Sequence, residues 1–209
     1  MTEIDERAGT RERSLEAAER LFVAHGYDGT SLRAIAGLAK VNLGSLVYYF
    51  GTKEALFSAL CEERLSATIA AQRDALLACE ARLDAGERVT LREAIGALVL
   101  PALSPNEPGV DLAGLYARIF TDPSEAVLAI GKALFSEPSM LMRRLARRLL
   151  PDLDEAEFHW RYVGSISALI ITQGFVDRMA TVSGTPQPPL SREQLGETII
   201  GVIERGLGG

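Results

Sequence analysis

The stretch Asn42 to Lys53, "NLGSLVYYFGTK", brings two phenolic hydroxyls, a serine hydroxyl and an ammonium together beside a glycine. Such groups hydrogen-bond to anionic oxygens, which is the chemistry of binding rather than of bond cleavage. Read as a helix turning ~100° per residue, the segment places Leu43, Leu46, Val47 and Phe50 on one apolar stripe. Gly44, Ser45, Tyr48 and Tyr49 then share the opposite face, small at its start and aromatic at its end. Part of that aromatic pair could also belong to the core, Tyr49 more readily than Tyr48. Catalysis would need a nucleophile beside a base, or a cluster of carboxylates and histidines, and the chain shows no such grouping. His25 and His159 are too far apart for metal-ligand spacing, so no metal and no cofactor are expected.

The rest of the chain must hold that face in place. At 209 residues and 47% hydrophobic content there is material for a real core. A net charge of −6 argues against a nucleic-acid partner on average, but the average conceals a local asymmetry. From Gly29 to Lys53 there is no Asp or Glu, while Arg33, Lys40 and Lys53 are positive; acid is crowded into "TEIDERAGTRERSLEAAE" and "PDLDEAE". Cys61 and Cys79 lie 18 residues apart on one helical segment, roughly 27 Å, too far for a disulfide. Two plain thiols suit a reducing cytoplasm. The charged N-terminus carries no apolar targeting segment, and the run "VGSISALIITQGFV" is shorter than the ~20 residues a membrane span needs, so no membrane partner is expected.

Apolar residues recur at helical spacing throughout, which predicts an all-α fold of about nine helices. A first helix spans about Arg11 to Ala24 and stops at His25-Gly26. Thr30 caps a short second helix, Asn42 a third, and Thr52 a fourth that runs to about Asp84. "TLRE" from Thr90 and "SREQ" from Ser191 read as capping boxes, with Asp154 and Glu157 a weaker one. Pro138 is expected to break or kink its helix.

The second and third helices, joined by a tight turn at Ala39 to Val41, have the spacing of a helix-turn-helix. In that motif the later helix enters the DNA major groove. Gly44 and Ser45 permit close approach, with Leu43 alongside. Tyr48 and Tyr49 suit phosphates or thymine methyls, and Lys53 offers an ammonium at a helix start, where a cation needs an anion nearby. Thr30, Ser31 and Asn42 supply further polar groups, and Arg33 and Lys40 further charge.

"LEAAERLFVAHGYDGTSLRAIAGLAKVNLGSLVYYFGTKEAL", Leu15 to Leu56, strongly resembles the DNA-binding domain of the TetR family of bacterial regulators. The shared pattern is Ala-Ala, Leu-Phe, Gly-Tyr, Thr-Ser, Ile-Ala, Val-Asn, Tyr-Tyr-Phe and Lys-Glu at the family's spacing. The chain departs from it at Lys40, where the family usually has Gly, and at Val47, which cannot bond phosphate and is left out of the site. The resemblance implies a helix-turn-helix DNA-binding domain over residues 1–52 and a helical effector-binding and dimerisation domain over 53–209. It implies a homodimer paired through the last two helices on double-stranded, near-palindromic operator DNA, released by a small apolar or amphipathic effector. An orphan DNA binder or activator is the alternative. The same resemblance requires a pocket, for which Tyr116, Phe120, Met140, Trp160, Gln173 and Phe175 are candidates, although core packing explains such residues equally well. "VGSISALIITQG" and "LGETIIGVIERGLGG" combine small and branched residues suited to a four-helix interface between chains.

Overall fold

The computed structural model describes residues 3–103, 111–174, 176–185 and 190–209, with 3–8, 171–174 and 176–179 as backbone only. Ten helices are formed among them: α1 (Glu3–His25), α2 (Leu32–Ala39), α3 (Leu43–Phe50), α4 (Lys53–Asp84), α5 (Leu91–Ala102), α6 (Leu112–Thr121), α7 (Glu125–Leu149), α8 (Glu155–Gly174), α9 (Val176–Ser183) and α10 (Arg192–Gly208). The described residues contain no strand. The fold is all-α as expected, with one helix more than the periodicity suggested.

The chain divides into two compact units. The first joins Met1–Ser66 to Asn106–Ala133, and the second joins Ala67–Pro105 to Leu134–Gly209. The grouping of α6 with the N-terminal helices was not visible in the sequence. In the first unit α1 packs on α2, α3 and α6 around Leu15, Ala18, Phe22, Ile35, Leu46, Leu56, Phe57 and Leu60. Phe22 and Phe57 meet edge-on at 4.9 Å between centroids, and Tyr27 stacks on Phe22 at 5.8 Å. Edge and stacked contacts of this kind add to the gain from burial. In the second unit α10 lies against α8 and α5 over a core that includes Leu76, Ile95, Leu141, Leu145, Phe158, Ile199 and Ile203.

Local signals account for most helix ends. Both expected capping boxes are present, Thr90 with Glu93 and Ser191 with Gln194. The Thr90 N–H and hydroxyl, with Arg82 beyond them, hold the Glu93 carboxyl down at about 2. Asp154 caps α8 by accepting from the N–H groups of Ala156 and Glu157, but the Glu157 side chain accepts from Arg161 and does not close a box. Pro138 does not end its helix, because α7 continues from Glu125 to Leu149. A proline inside a helix costs roughly 3 kcal/mol locally. Burial of Leu141, Met142, Leu145 and Ala146 in the turns that follow offsets it.

Cys61 and Cys79 are both buried free thiols on α4, one in each unit. Burial, with Glu62 nearby, pushes the Cys61 thiol up to about 12, and burial also raises that of Cys79.

Candidate nucleic-acid interface

Helix α3 is held by two residues of its own stripe, Leu46 and Phe50, which are buried, with Leu43 half-buried beside them. Val47 does not belong to that stripe: it is 44% exposed, one residue and ~100° past Leu46. On the other side Gly44 and Tyr48 are exposed, and Ser45 and Tyr49 are half-buried. Tyr48 stands 78% exposed, its ring edge-on to Tyr49 at 5.5 Å, and Tyr49 leans toward Phe50 at 6.4 Å. One ring of the pair is thus anchored toward the core while the other projects, which orients the outer hydroxyl without burying it.

Asn42 caps α3 by accepting from the Gly44 N–H at 2.7 Å. Ahead of it the turn is made by Lys40 in left-handed conformation, φ 54° and ψ 43°, with the Val41 N–H reaching back to the Ala36 carbonyl at 3.0 Å. This is the αL closure normally given to glycine, and a side chain there costs roughly 1 kcal/mol. Lys40→Gly is therefore expected to stabilise the chain by about 1 kcal/mol in urea unfolding; a destabilisation would show that the Lys40 stem packs against its neighbours.

Two site residues have other roles. Thr30 is buried, and its hydroxyl donates to the carbonyls of Gly26 (2.8 Å) and Leu21 (3.1 Å), so its side chain is not presented to a ligand. Ser31, not Thr30, caps α2, its hydroxyl oxygen accepting from the Ala34 N–H. The Lys53 ammonium is turned inward. It donates to the carbonyls of Tyr27 (3.0 Å) and Thr30 (3.2 Å) and lies 4.1 Å from the centre of the Tyr27 ring. It ties the start of α4 to the α1–α2 turn, a positioning role.

Arg33 and Lys40 are exposed. Lys40 also lines a depression of about 150 Å³ with Arg13, Glu16, Ala17, Arg20, Leu38 and Ala39. Arg13 and Arg20 were missed because the acid-rich run around them masks their spacing of seven, which puts both on one face of α1.

A second set of contacts, also unseen in the sequence, fixes α6 to α1. Arg118 caps the end of α1 by donating to the carbonyls of Val23 (2.8 Å) and Ala24 (3.2 Å), while Asp122 accepts from the Tyr27 N–H at 2.9 Å. At the other end of α6, Glu19 accepts from the Asp111 N–H at 2.5 Å and from Arg64 Nε at 3.1 Å. Arg64 also reaches Glu12 at 2.5 Å. Close approach of the two helices depends on Gly114, where a Cβ would fall 2.6 Å from Val23 Cγ1.

The described candidate pocket residues are divided between the two units. Tyr116 is buried in the first unit, where desolvation raises its hydroxyl above the usual phenol range, and Phe120 on the same helix is 44% exposed. Met140 and Trp160 are exposed in the second unit, where Met140 borders an arginine-lined depression and Trp160 stands edge-on to His159. The Gln173 side chain and Phe175 lie outside the described residues. Among the described residues no three potential metal ligands cluster, and no helix is long and apolar enough to cross a membrane.

This geometry has counterparts. The family "Bacterial regulatory proteins, tetR family" matches residues 15–60, and "Tetracyclin repressor-like, C-terminal domain" matches residues 94–206. The HTH-type transcriptional repressor AcnR of Corynebacterium efficiens is 37% identical over 59 residues, 28% of this chain and 31% of AcnR. The HTH-type transcriptional repressor NicS of Pseudomonas putida is 42% identical over 53 residues, 25% of each chain. The match thus spans less than a third of the length of these relatives. Two solved structures share the whole fold at low identity. The TetR family transcriptional regulator PfmR of Thermus thermophilus has TM-score 0.57 and 21% identity, covering 93% of this chain and 98% of PfmR. Mycobacterium smegmatis AmtR has TM-score 0.59 and 21% identity, covering 92% and 85%. With the N-terminal match over the helix-turn-helix and the C-terminal match over more than half of its length, the chain belongs to the TetR family, whose members are transcriptional regulators and not enzymes.

Proposed function

We propose that the protein is a homodimeric repressor that binds a near-palindromic operator through residues 1–52 and is released by a small effector held within residues 53–209. The observation that carries this reading is the outward Tyr48 on a short capped helix, beside an exposed glycine and with no acid from Gly29 to Lys53. Ser31, Arg33, Lys40, Asn42, Leu43, Ser45 and Tyr49 complete the surface, and Lys53 sets its geometry. The named repressor relatives favour repression over activation.

Pairing of two chains is supported by what α8 and α10 leave uncovered. On α8 the exposed residues include Trp160, Val163, Gly164 and Ser167, at spacings of three, four and seven. On α10 the exposed residues include Thr198 and Val202, four apart. Gly196 has a different use, lying inside the chain, where a Cβ would sit 3.3 Å from Leu100 Cδ2. Because α9 intervenes, the proposed pairing helices are α8 and α10, not the last two in order. A two-fold dimer sets its reading helices about one DNA turn apart, ~34 Å. An effector that prefers a different separation shifts the population away from the bound form, and only its differential affinity counts.

The test is a footprint on the DNA upstream of the protein's own gene, repeated with molecules that raise its melting temperature. Tyr48→Ala should weaken operator binding about tenfold or more, the worth of a hydrogen bond to a charged group, with unchanged melting. Absence of any protected site would overturn the proposal. Protection that no stabilising molecule relieves would favour the orphan binder.

A further inference from the structure

The sequence "RRLARRLL" sets four arginines at the C-terminal end of α7, with Leu145 and Ala146 buried between them. Arg143, Arg144, Arg147 and Arg148 consequently share one face, and with Met140 and Glu155 they line an open depression of about 450 Å³ within the second unit. So open a site can hold a small anion through its charged wall rather than by enclosing it.

The guanidiniums are unequally compensated. Arg144 makes a two-pronged contact with Glu80, at 2.5 and 2.7 Å, and Arg148 pairs with Asp84 at 2.7 Å. Arg143 and Arg147 share a single carboxylate, Glu155, at 2.6 and 3.9 Å. Both lie over the buried Phe158 ring, 5.0 and 5.3 Å from its centre, and Arg147 is further held by the carbonyls of Leu150 and Leu153. Stacking on a ring fixes the plane of a guanidinium and leaves its N–H edge for an oxyanion. The neighbouring acids Asp154 and Glu157 are engaged with the α8 N–H groups and with Arg161. Glu155 is 68% exposed and bridges Arg143 and Arg147, so it rotates out at little cost, whereas Glu80 is 16% exposed and held by Arg144. With it gone, four arginines face Glu80 and Asp84, an excess of two positive charges.

We propose that this depression binds a phosphate monoester with a short apolar substituent, its dianion replacing the Glu155 carboxylate between Arg143 and Arg147 and its tail lying on the exposed Met140. A phosphate monoester carries close to two charges at neutral pH and accepts forked N–H pairs, which matches the excess. The proposal rests on the effector reading above and names the chemical class of the effector.

Calorimetric titration of the full chain with hexyl phosphate, inorganic phosphate and hexanol tests it. Hexyl phosphate should bind at least tenfold more tightly than inorganic phosphate, and hexanol should not bind. Glu155→Gln should tighten hexyl phosphate several-fold and do so more than it tightens inorganic phosphate. Arg143→Gln with Arg147→Gln should weaken it tenfold or more. Should that variant melt early, Arg143→Lys with Arg147→Lys, which keeps charge and loses the fork, should still weaken binding. Met140→Ser should shrink the advantage over inorganic phosphate. No binding by the unaltered chain, or no gain from Glu155→Gln, would overturn the site. Operator affinity is measured in parallel: tight binding that leaves it unchanged upholds the site and counts against the effector reading.

Discussion

Replacing Arg64 with methionine is expected to destabilise the protein by about 3–5 kcal/mol, the cost of leaving one partner of a buried ion pair without its counter-charge. The Arg64 and Glu19 side chains are 8% and 4% exposed. Glu19 would retain only the Asp111 N–H, in a setting where an isolated carboxylate is strongly unfavourable. Glu12, at 43% exposure, is the lesser partner, and Glu12→Gln should cost no more than about 1 kcal/mol. Urea unfolding measures both. Combining Arg64→Met with Glu19→Gln should recover much of the loss, because the orphaned charge is removed with its partner. A single-variant cost below 1 kcal/mol would mean that water enters and solvates Glu19.

Gly44→Glu should separate stability from function in opposite directions. Gly44 is an exposed residue in the first turn of α3, where a Cβ would meet nothing closer than Asn42 Oδ1 at 3.2 Å. A carboxylate near a helix N-terminus gains roughly 0.3–1 kcal/mol, and replacing glycine within a helix adds a few tenths more. The melting temperature should hold or rise slightly. Against DNA the same group sets a negative charge and four extra side-chain atoms beyond the Cβ where the helix must approach phosphates, and like-charge juxtaposition costs several kcal/mol. At 1.4 kcal/mol per tenfold, operator affinity should fall by about a hundredfold or more. Operator titration alongside thermal melting checks both signs, and unchanged affinity would remove α3 from the interface.

What could be read in the sequence was whatever depends on neighbours along the chain. Asn42 at the start of α3, Thr90 and Ser191 with their boxes, and the 46/50 stripe follow from spacings of two to four residues. The cap of α2, expected at Thr30, belongs to Ser31, because both hydroxyls suit a cap and only the packed turn decides which is folded inward. Lys53 shows the limit: its partners are carbonyls 23 and 26 residues earlier, a contact no periodicity encodes. The same holds for Arg64 with Glu19 and for Arg118 with the end of α1. Pro138 does not break α7 despite its local cost, because the burial that carries the helix through it is set by residues on other helices.

The two buried thiols on α4 give this molecule an internal pair of clocks. A reagent that alkylates thiolate reaches the fully buried Cys61 when the first unit opens, and reaches Cys79, 7% exposed, fastest when the second does. Mass spectrometry of partly labelled protein would resolve the lifetimes of the two halves in one sample, with no dye or inserted reporter. It would also show which half a bound molecule holds shut.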